Sequence, residues 1–322
     1  MHEHLLIDAR VWVTPSPEVP PADLRVTAAN LAYTRWNYLN MPDNLISSDP
    51  DAVVGELSRA RDFGATGVVD MTNIGLGRRP GELPGIARRS GMHVMVGCGF
   101  YVDSAHPEWL RGMSVDGVHA LIALELEHGI EDTGIRPALV GEIGTSHPVT
   151  ERERKVLEAA GSAAAAAGAA VNVHLDPAGD HALEILALLV GAGMPAERVI
   201  FSHMDIRLDH AYHRAVAEAG CVLEYDTFGH EFYIRDLETI SRQPSDLARC
   251  ELLAKLVQEG FGDRIVLGCD CGAKATLAAY GGHGHEHLLR RIVPVLELNF
   301  GVPADVLETM LVHTPRRLLD RP

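Results

Sequence analysis

Two histidines one residue apart open the chain, in the stretch Met1-His2-Glu3-His4-Leu5-Leu6. In an extended strand side chains alternate between faces, so His2 and His4 point one way and Glu3 the other. Two imidazoles on one face can hold a metal ion. Taken alone, the pair is more simply two polar residues near an N-terminus, and partners elsewhere must give it meaning. Those partners stand at the ends of apolar, β-branched runs: Asp70, Tyr101, Glu142, His174, His203, Asp226 and Asp270. A buried strand of Val, Ile, Leu and Ala has no packing reason to finish in His or Asp. Any one of them can be an N-cap or a satisfied buried group. His2, His4, Glu142, His174, His203 and Asp270 together would need a run of coincidences at one rim.

The ligand types suit a pair of borderline divalent ions. Imidazole and carboxylate favour Zn, with Mn, Co or Fe(II) as alternatives, whereas an all-oxygen set would suggest Mg or Ca. A carboxylate can bridge two ions through its two oxygens, and Glu142 is the central candidate. Two ions about 3.5–4 Å apart lower the pKa of a shared water enough to make it a nucleophile at neutral pH.

The elements that must position these residues can be read from periodicity and capping. Strands are predicted over 66–71, 93–98, 138–143, 170–174, 198–203, 221–226 and 264–270, in addition to the first stretch. Helical segments are predicted at about 49–64, 84–90, 114–129, 151–168, 178–193, 208–219, 245–260 and 285–300, with a C-terminal helical tail over about 303–322. Asp49-Pro50 reads as an N-cap followed by Pro at the first helical position. Residues 11–48, rich in Pro and Asn with weak periodicity, read as a long loop. Eight strands, each followed by a helical stretch, imply an α/β fold of the closed (β/α)8 barrel type, whose chemistry sits at the C-terminal strand ends. A doubly wound open sheet would place a Gly-rich phosphate loop after the first strand, and the sequence has none.

Composition agrees with one such barrel spanning residues 1–322. Hydrophobic residues make up 47%, ample for a large core. Lys and Arg number 28 against 44 Asp and Glu, a net charge of −16, which argues against nucleic acid or an anionic membrane as the main partner. No apolar run is long enough for a membrane span, and no basic-then-apolar leader precedes His2. Cys98, Cys221, Cys250, Cys269 and Cys271 form no disulfide pattern, so a reducing cytoplasm is the expected compartment. The expected partner is a small-molecule substrate, and a homodimer is compatible with the chain.

With these residues in place, the sequence resembles the phosphotriesterase family of the amidohydrolase superfamily, in its phosphotriesterase-related and lactonase branch. That family has His-x-His on strand one, a bridging residue on strand four, His on strands five and six, and Asp on strand eight. Matching stretches here are Met1-His2-Glu3-His4-Leu5, Val140-Gly141-Glu142-Ile143-Gly144, Val173-His174, Ser202-His203-Met204-Asp205 and Gly268-Cys269-Asp270. Gly99-Phe100-Tyr101, Tyr225-Asp226-Thr227 and Tyr280-Gly281-Gly282 extend the similarity over essentially the whole chain.

The resemblance implies that His2, His4 and Asp270 hold the buried metal, and His174 and His203 the more exposed one. It implies that Asp270 orients the bridging hydroxide and accepts its proton. Many members bridge the metals with a carboxylated lysine; Glu142 takes that place here, as in a branch of the family, and needs no CO2. Tyr101 matches a residue that helps to polarise the substrate carbonyl in related lactonases. Two departures stand out. Family members usually carry residues ahead of the first strand, so residues upstream of Met1 are expected to be missing. Relatives acting on phosphorylated sugar lactones carry basic residues after strand seven and after the strand-eight Asp. Here Phe228-Gly229-His230-Glu231 and Cys271-Gly272-Ala273-Lys274 leave only Lys274 and His230 as substrate-binding candidates.

Asp205 and Asp226 are expected to orient the ligand imidazoles. His283, His285 and His287 read as a solvent-exposed or substrate-lining loop with adventitious metal binding, because a Gly-rich loop is a poor cage. Cys269 and Cys271 flank Asp270, so they point away from its face and read as small core residues. The expected function is a binuclear metal hydrolase acting on a neutral lactone or carboxylic ester. A phosphotriester is the alternative substrate. A barrel that binds metal or a small ligand without turnover is the rival from another class, and Asp270 argues against it: a binding site needs no proton acceptor.

Overall fold

The computed structural model describes residues 1–235 and 237–321. β1 (Ile7–Asp8) pairs antiparallel with β2 (Ile46–Ser47) at the rim. β3 (Gly67–Asp70), β4 (His93–Cys98), β5 (Leu139–Gly144), β6 (Val171–His174), β7 (Val199–Ser202) and β8 (Val222–Tyr225) follow in the main sheet. β9 (Tyr233–Arg235) and β10 (Ile240–Arg242) form a separate antiparallel pair, and β11 (Ile265–Leu267) returns to the main sheet. The main sheet is parallel, in the order β11-β8-β7-β6-β5-β4-β3. Helices join consecutive strands, as short parallel crossovers require.

Seven strands do not close a barrel of eight, and the first expected strand is too short to extend the ladder. The gap is filled by residues 1–4. On one side Glu3 N–H donates to Val69 O (3.0 Å) and Met71 N–H to Glu3 O (2.9 Å). On the other, Asp270 N–H donates to His2 O (3.0 Å) and the Met1 amino group to Leu267 O (2.6 Å). The N-terminal segment is thus the staple that closes the (β/α)8 barrel between β3 and β11.

The barrel interior is apolar below the rim: Val69, Met71, Leu139, Ala170, Ile200, Val222 and Val266 pack together with Leu318. A larger layer between strands and helices includes Leu157, Ala160 and Ala164 of the helix Glu151–Ala167. That helix starts in a capping box, Thr150 with Glu153, and its alanines let it lie close to the sheet. Among the described residues, no helix is long and apolar enough to cross a membrane.

The expected loop over 11–48 holds more structure than its periodicity suggests: a helix Leu31–Trp36, a 3-10 turn Pro42–Leu45 and β2. Asparagine side chains replace the missing ladders. Asn30 Nδ2 donates to Arg25 O, Asn37 Nδ2 to Tyr33 O, Asn40 Nδ2 to Thr14 O and Asn44 Nδ2 to Tyr38 O. The segment brings Trp12, Tyr38 and Leu45 over the mouth of the barrel. β9 and β10 were absent from the expected elements, and they bring Ile234 to the same mouth.

Candidate metal centre

Each residue at the centre arrives on a strand, just beyond one, or on the segment that closes the barrel. His2 and His4 come from the closing segment, Glu142 from β5 and His174 from the end of β6. His203 and Asp270 follow β7 and β11. Both have left-handed backbones, φ 60° and 45°, which non-glycine residues adopt at a cost of order 1–3 kcal/mol. Such strain persists only where the surroundings enforce it, and here it turns both side chains into the mouth.

Glu142 lies in the middle, 1% exposed. One carboxylate oxygen, Oε1, lies 3.1 Å from His4 Nε2 and 3.6 Å from His2 Nε2. The other, Oε2, lies 3.0 Å from His174 Nδ1 and 3.6 Å from His203 Nε2. Asp270 Oδ1 stands 3.3 Å from His4 Nε2. The carboxylate therefore divides the four imidazoles into two pairs, one for each oxygen.

Outward-facing ring nitrogens are held by a second set of polar groups. His2 Nδ1 lies 3.1 Å from Glu224 Oε2 and 3.1 Å from Asp226 Oδ2. Ser202 Oγ and Asn172 Nδ2 also reach Glu224 Oε2, at 2.9 and 2.6 Å. Thr72 Oγ1 donates to Asp70 Oδ1 (2.7 Å), so His4 Nδ1–H donates to Thr72 Oγ1 (3.0 Å), leaving the Nε2 lone pair for the centre. Asp226 Oδ1 accepts from His203 N–H (2.9 Å) and lies 3.1 Å from its Nδ1.

The residues fit a metal. His2 Nε2 is buried with no hydrogen-bond partner. His174 Nδ1 and His203 Nε2 lie 2.8 Å apart and both turn toward Glu142 Oε2, so the two rings offer their nitrogens to one point. The triads His2/His4/Glu142 and Glu142/His174/His203 each bring one donor atom per residue within 4.8 Å of the others. The field points the same way. Burial alone would lower the pKa of His2, His4 and His203, but neighbouring carboxylates outweigh it. His4 is raised to about 9, and His2 and His203 lie well above the usual histidine range. The carboxylates gathered around these buried rings give the centre a negative field that favours cations.

Tyr101 reaches the centre from the loop after β4, its hydroxyl 3.3 Å from His174 Nδ1 and accepting from Trp12 Nε1–H at 3.1 Å. Burial, then the charge of Glu142, pushes its pKa well up, so it keeps its proton. The mouth above forms a cavity of about 310 Å3. Aromatic and aliphatic side chains dominate it, among them Trp12, Tyr38, Leu45, Ile206, Phe232 and Ile234. Two lining residues carry buried polar atoms with no partner: His230 Nε2 and Gln243 Oε1. Among the described residues lining it there is no Lys or Arg; the charged side chains are Glu142, Asp176 and Asp270.

Several sequence expectations need correction. Lys274 does not face the cavity: its Nζ pairs with Asp43 Oδ1 at 2.6 Å and lies over the Tyr280 ring. Asp205 does not touch the ligand imidazoles; its Oδ2 accepts from Thr227 N–H and faces the buried Arg249 Nε at 3.3 Å. The loop with His283, His285 and His287 does not line the cavity, and it is largely packed away from solvent, with His283 half-buried. His285 and His287 are buried, and His287 Nε2 is 2.7 Å from Asp246 Oδ2. Glu224, Thr72 and Gln243 were missed. Glu224 was within reach, because it precedes Asp226 by two residues and so shares its strand face. Gln243 follows β10 and carries no local signal.

The phosphotriesterase family model matches residues 1–319. N-acetyltaurine hydrolase from Danio rerio is 34% identical over 327 residues, covering 99% of this chain and 92% of that protein. The Salmo salar N-acetyltaurine hydrolase is 36% identical over 324 residues, with the same coverage of 99% and 92%. A resiniferatoxin-binding protein from Rhodobacter sphaeroides superposes with a TM-score of 0.94 at 31% identity, covering 99% of this chain and 90% of that one. A phosphotriesterase homology protein from Escherichia coli, complexed with phosphate in its active site, gives 0.81 at 24%, covering 99% and 97%. The latter identity supports the shared fold alone.

Proposed function

The chain belongs to the phosphotriesterase family, and from that premise we propose that this metal-dependent hydrolase cleaves the carbonyl–nitrogen bond of a small, uncharged N-acyl amide. The bond class follows from the N-acetyltaurine hydrolases, which match this chain from end to end. The absence of charge follows from the cavity, and this observation carries the proposal. Its unpartnered polar atoms belong to His230 and Gln243, and among the described residues no Lys or Arg lines it to meet a sulfonate or phosphate. Burial lowers the His230 pKa, so that ring is neutral. Asp176 and Asp270 would repel an anionic tail. Cleavage of an ester or lactone is the second reading, supported by the same lack of Lys and Arg among the described residues that line the cavity.

His2, His4 and Asp270 would hold one ion, His174 and His203 the other, with Glu142 between; nitrogen and oxygen donors of this kind suit zinc. When bound, the ions supply an activated water and Lewis-acid polarisation of the acyl oxygen. Asp270 takes the proton of the attacking water. Burial raises its pKa, but the His4 hydrogen bond and the charges of His4 and His203 lower it further, so it starts ionised. The same carboxyl then returns the proton to the leaving amine, which must be protonated to depart. Tyr101, kept protonated, donates toward the oxygen that gains charge. Thr227, His230 and Gln243 orient the amide, and the aromatic wall of Trp12, Tyr38 and Phe232 excludes water.

A substrate panel tests the reading. Zinc-loaded protein is assayed on an N-acetyl alkylamine, N-acetyltaurine, a neutral lactone and a phosphotriester. The neutral amide should have the highest kcat/KM, at least tenfold above N-acetyltaurine, as expected for one unmatched charge at a desolvated site. Preference for N-acetyltaurine would reject the uncharged-substrate reading. Preference for the lactone would move the bond class to the ester.

A further inference from the structure

On the opposite face of the closing segment stands a separate cluster. Glu3 points away from His2 and His4, and its carboxylate is fixed by two backbone N–H groups: Cys269 donates to Oε1 and Cys271 to Oε2, both at 2.9 Å. His285 reaches the same point from the loop after Tyr280. Its Nε2 lies 3.7 Å from Glu3 Oε2, and its Nδ1 lies 3.8 Å from Glu56 Oε2. Neither ring nitrogen has a hydrogen-bond partner, although the side chain is only 4% exposed. Donor atoms of Glu3, Cys271 and His285 all lie within 4.8 Å of one another, and the Cys269 thiol contacts that of Cys271.

We infer that Glu3, Cys271 and His285, with Cys269 beside them, form a second metal site, structural in role, for a thiophilic divalent ion such as zinc. The 3.7 Å between His285 Nε2 and Glu3 Oε2 is too long for a hydrogen bond. It is a few tenths of an ångström longer than the edge of about 3.4 Å that a nitrogen and an oxygen span on a tetrahedral zinc, so a small closure of the loop would bring both to one ion. Glu56 lies on the other side of the ring, its Oε2 3.8 Å from His285 Nδ1, near enough to attract the imidazole but beyond hydrogen-bonding distance. Thiolate, imidazole and carboxylate are each zinc ligands, and the closed, buried setting leaves no open position for a substrate. Binding requires the Cys271 thiol to release its proton to solvent as the sulfur–metal bond forms.

The loop bearing His285 is not a flexible tether. Gly284 N–H donates to Thr276 O (2.8 Å) and Gly282 N–H to Leu277 O (2.9 Å). A side chain at Gly282 would meet the Thr276 backbone at 2.3 Å. An ion here would pin three separate pieces of chain: the closing segment, the end of the last strand and this loop. Two of those pieces carry His2, His4 and Asp270 on their other faces, so the site would fix the scaffold of the hydrolytic centre without touching its substrate.

Cobalt(II) distinguishes the two sites, because the hydrolytic cluster has only nitrogen and oxygen donors. Metal-free protein is reconstituted with cobalt, and its near-ultraviolet spectrum and cobalt content are measured. A thiolate-to-cobalt charge-transfer band should appear, with three ions bound per chain. Cys271→Ser and His285→Gln should each abolish the band and reduce the count to two. Wild-type protein with no such band overturns the inference, whatever its cobalt content, and leaves His285 as a cation held between Glu3 and Glu56. A band that persists in folded Cys271→Ser overturns it as well. The wild-type spectrum decides even where a variant fails to fold.

Discussion

At the scale of single residues, the centre depends on groups that aim the ligands as much as on the ligands themselves. Glu224 has no access to substrate, yet it receives His2, Ser202 and Asn172 at one oxygen. Glu224→Gln should keep the shape while removing the charge behind His2. Metal affinity, measured by competition with a chromophoric chelator, should fall about 10–100-fold, as for other partners of metal-bound histidines. Unchanged affinity would make Glu224 a packing group only. Asp270→Asn addresses proton transfer. With metals bound, it should lower kcat by roughly 10²–10⁴, the range for loss of a general base. A variant with bound metal and a near-wild-type kcat would show that the proton travels elsewhere. The ligand candidates were legible because strand ends in a parallel barrel face one mouth, so sequence order translates into place. The cavity wall was not, since Gln243 and Trp12 reach it from segments whose paths depend on distant contacts.

Elements show the same division. Periodicity and caps carried β4 at its full extent and the helix Glu151–Ala167 to within a residue, because those signals are local. β9 and β10 were not legible: Ile240, Ser241 and Arg242 are exposed and lack an apolar alternation to mark a strand. The loop from 11 to 48 was misread for a related reason, since asparagine side chains rather than a repeating pattern hold it. Between elements, His213 couples the helix His210–Glu218 to β8, with Nδ1 2.7 Å from Tyr225 Oη and Nε2 2.8 Å from Arg207 O. Burial lowers its pKa to about 4. An unfolded histidine titrates near 6.5, so between these values the unfolded chain binds the extra proton. This residue's contribution is complete above about pH 6.5 and is lost as the pH falls through about 4. Near pH 5 the loss is roughly 2 kcal/mol. His213→Gln should therefore narrow the difference in Tm between about pH 7.5 and about pH 5, measured on matched metal-loaded samples. An unaltered difference would show that His213 does not carry this acid sensitivity.

For the whole molecule, the closing segment unites fold and function. Met1–His4 completes the barrel by backbone bonds to β3 on one side and to the chain after β11 on the other, and it delivers two imidazoles to the centre as it does so. Its alternation also sends Glu3 to the opposite face, where it meets Cys271, 268 residues on in sequence, and His285 beyond that. That juxtaposition was not legible: the His283–His287 stretch has the composition of a flexible loop, and only the tertiary packing of Gly282 and Gly284 shows that it is fixed. The alternation of strands and helices did specify the barrel, and the family relationship agrees with it. The most direct test of the central claim is the hydrolysis of a neutral N-acetyl alkylamine by metal-free protein titrated with zinc. Turnover should be absent without metal and rise to a plateau as the ions bind. Full turnover by the metal-free protein would contradict the account.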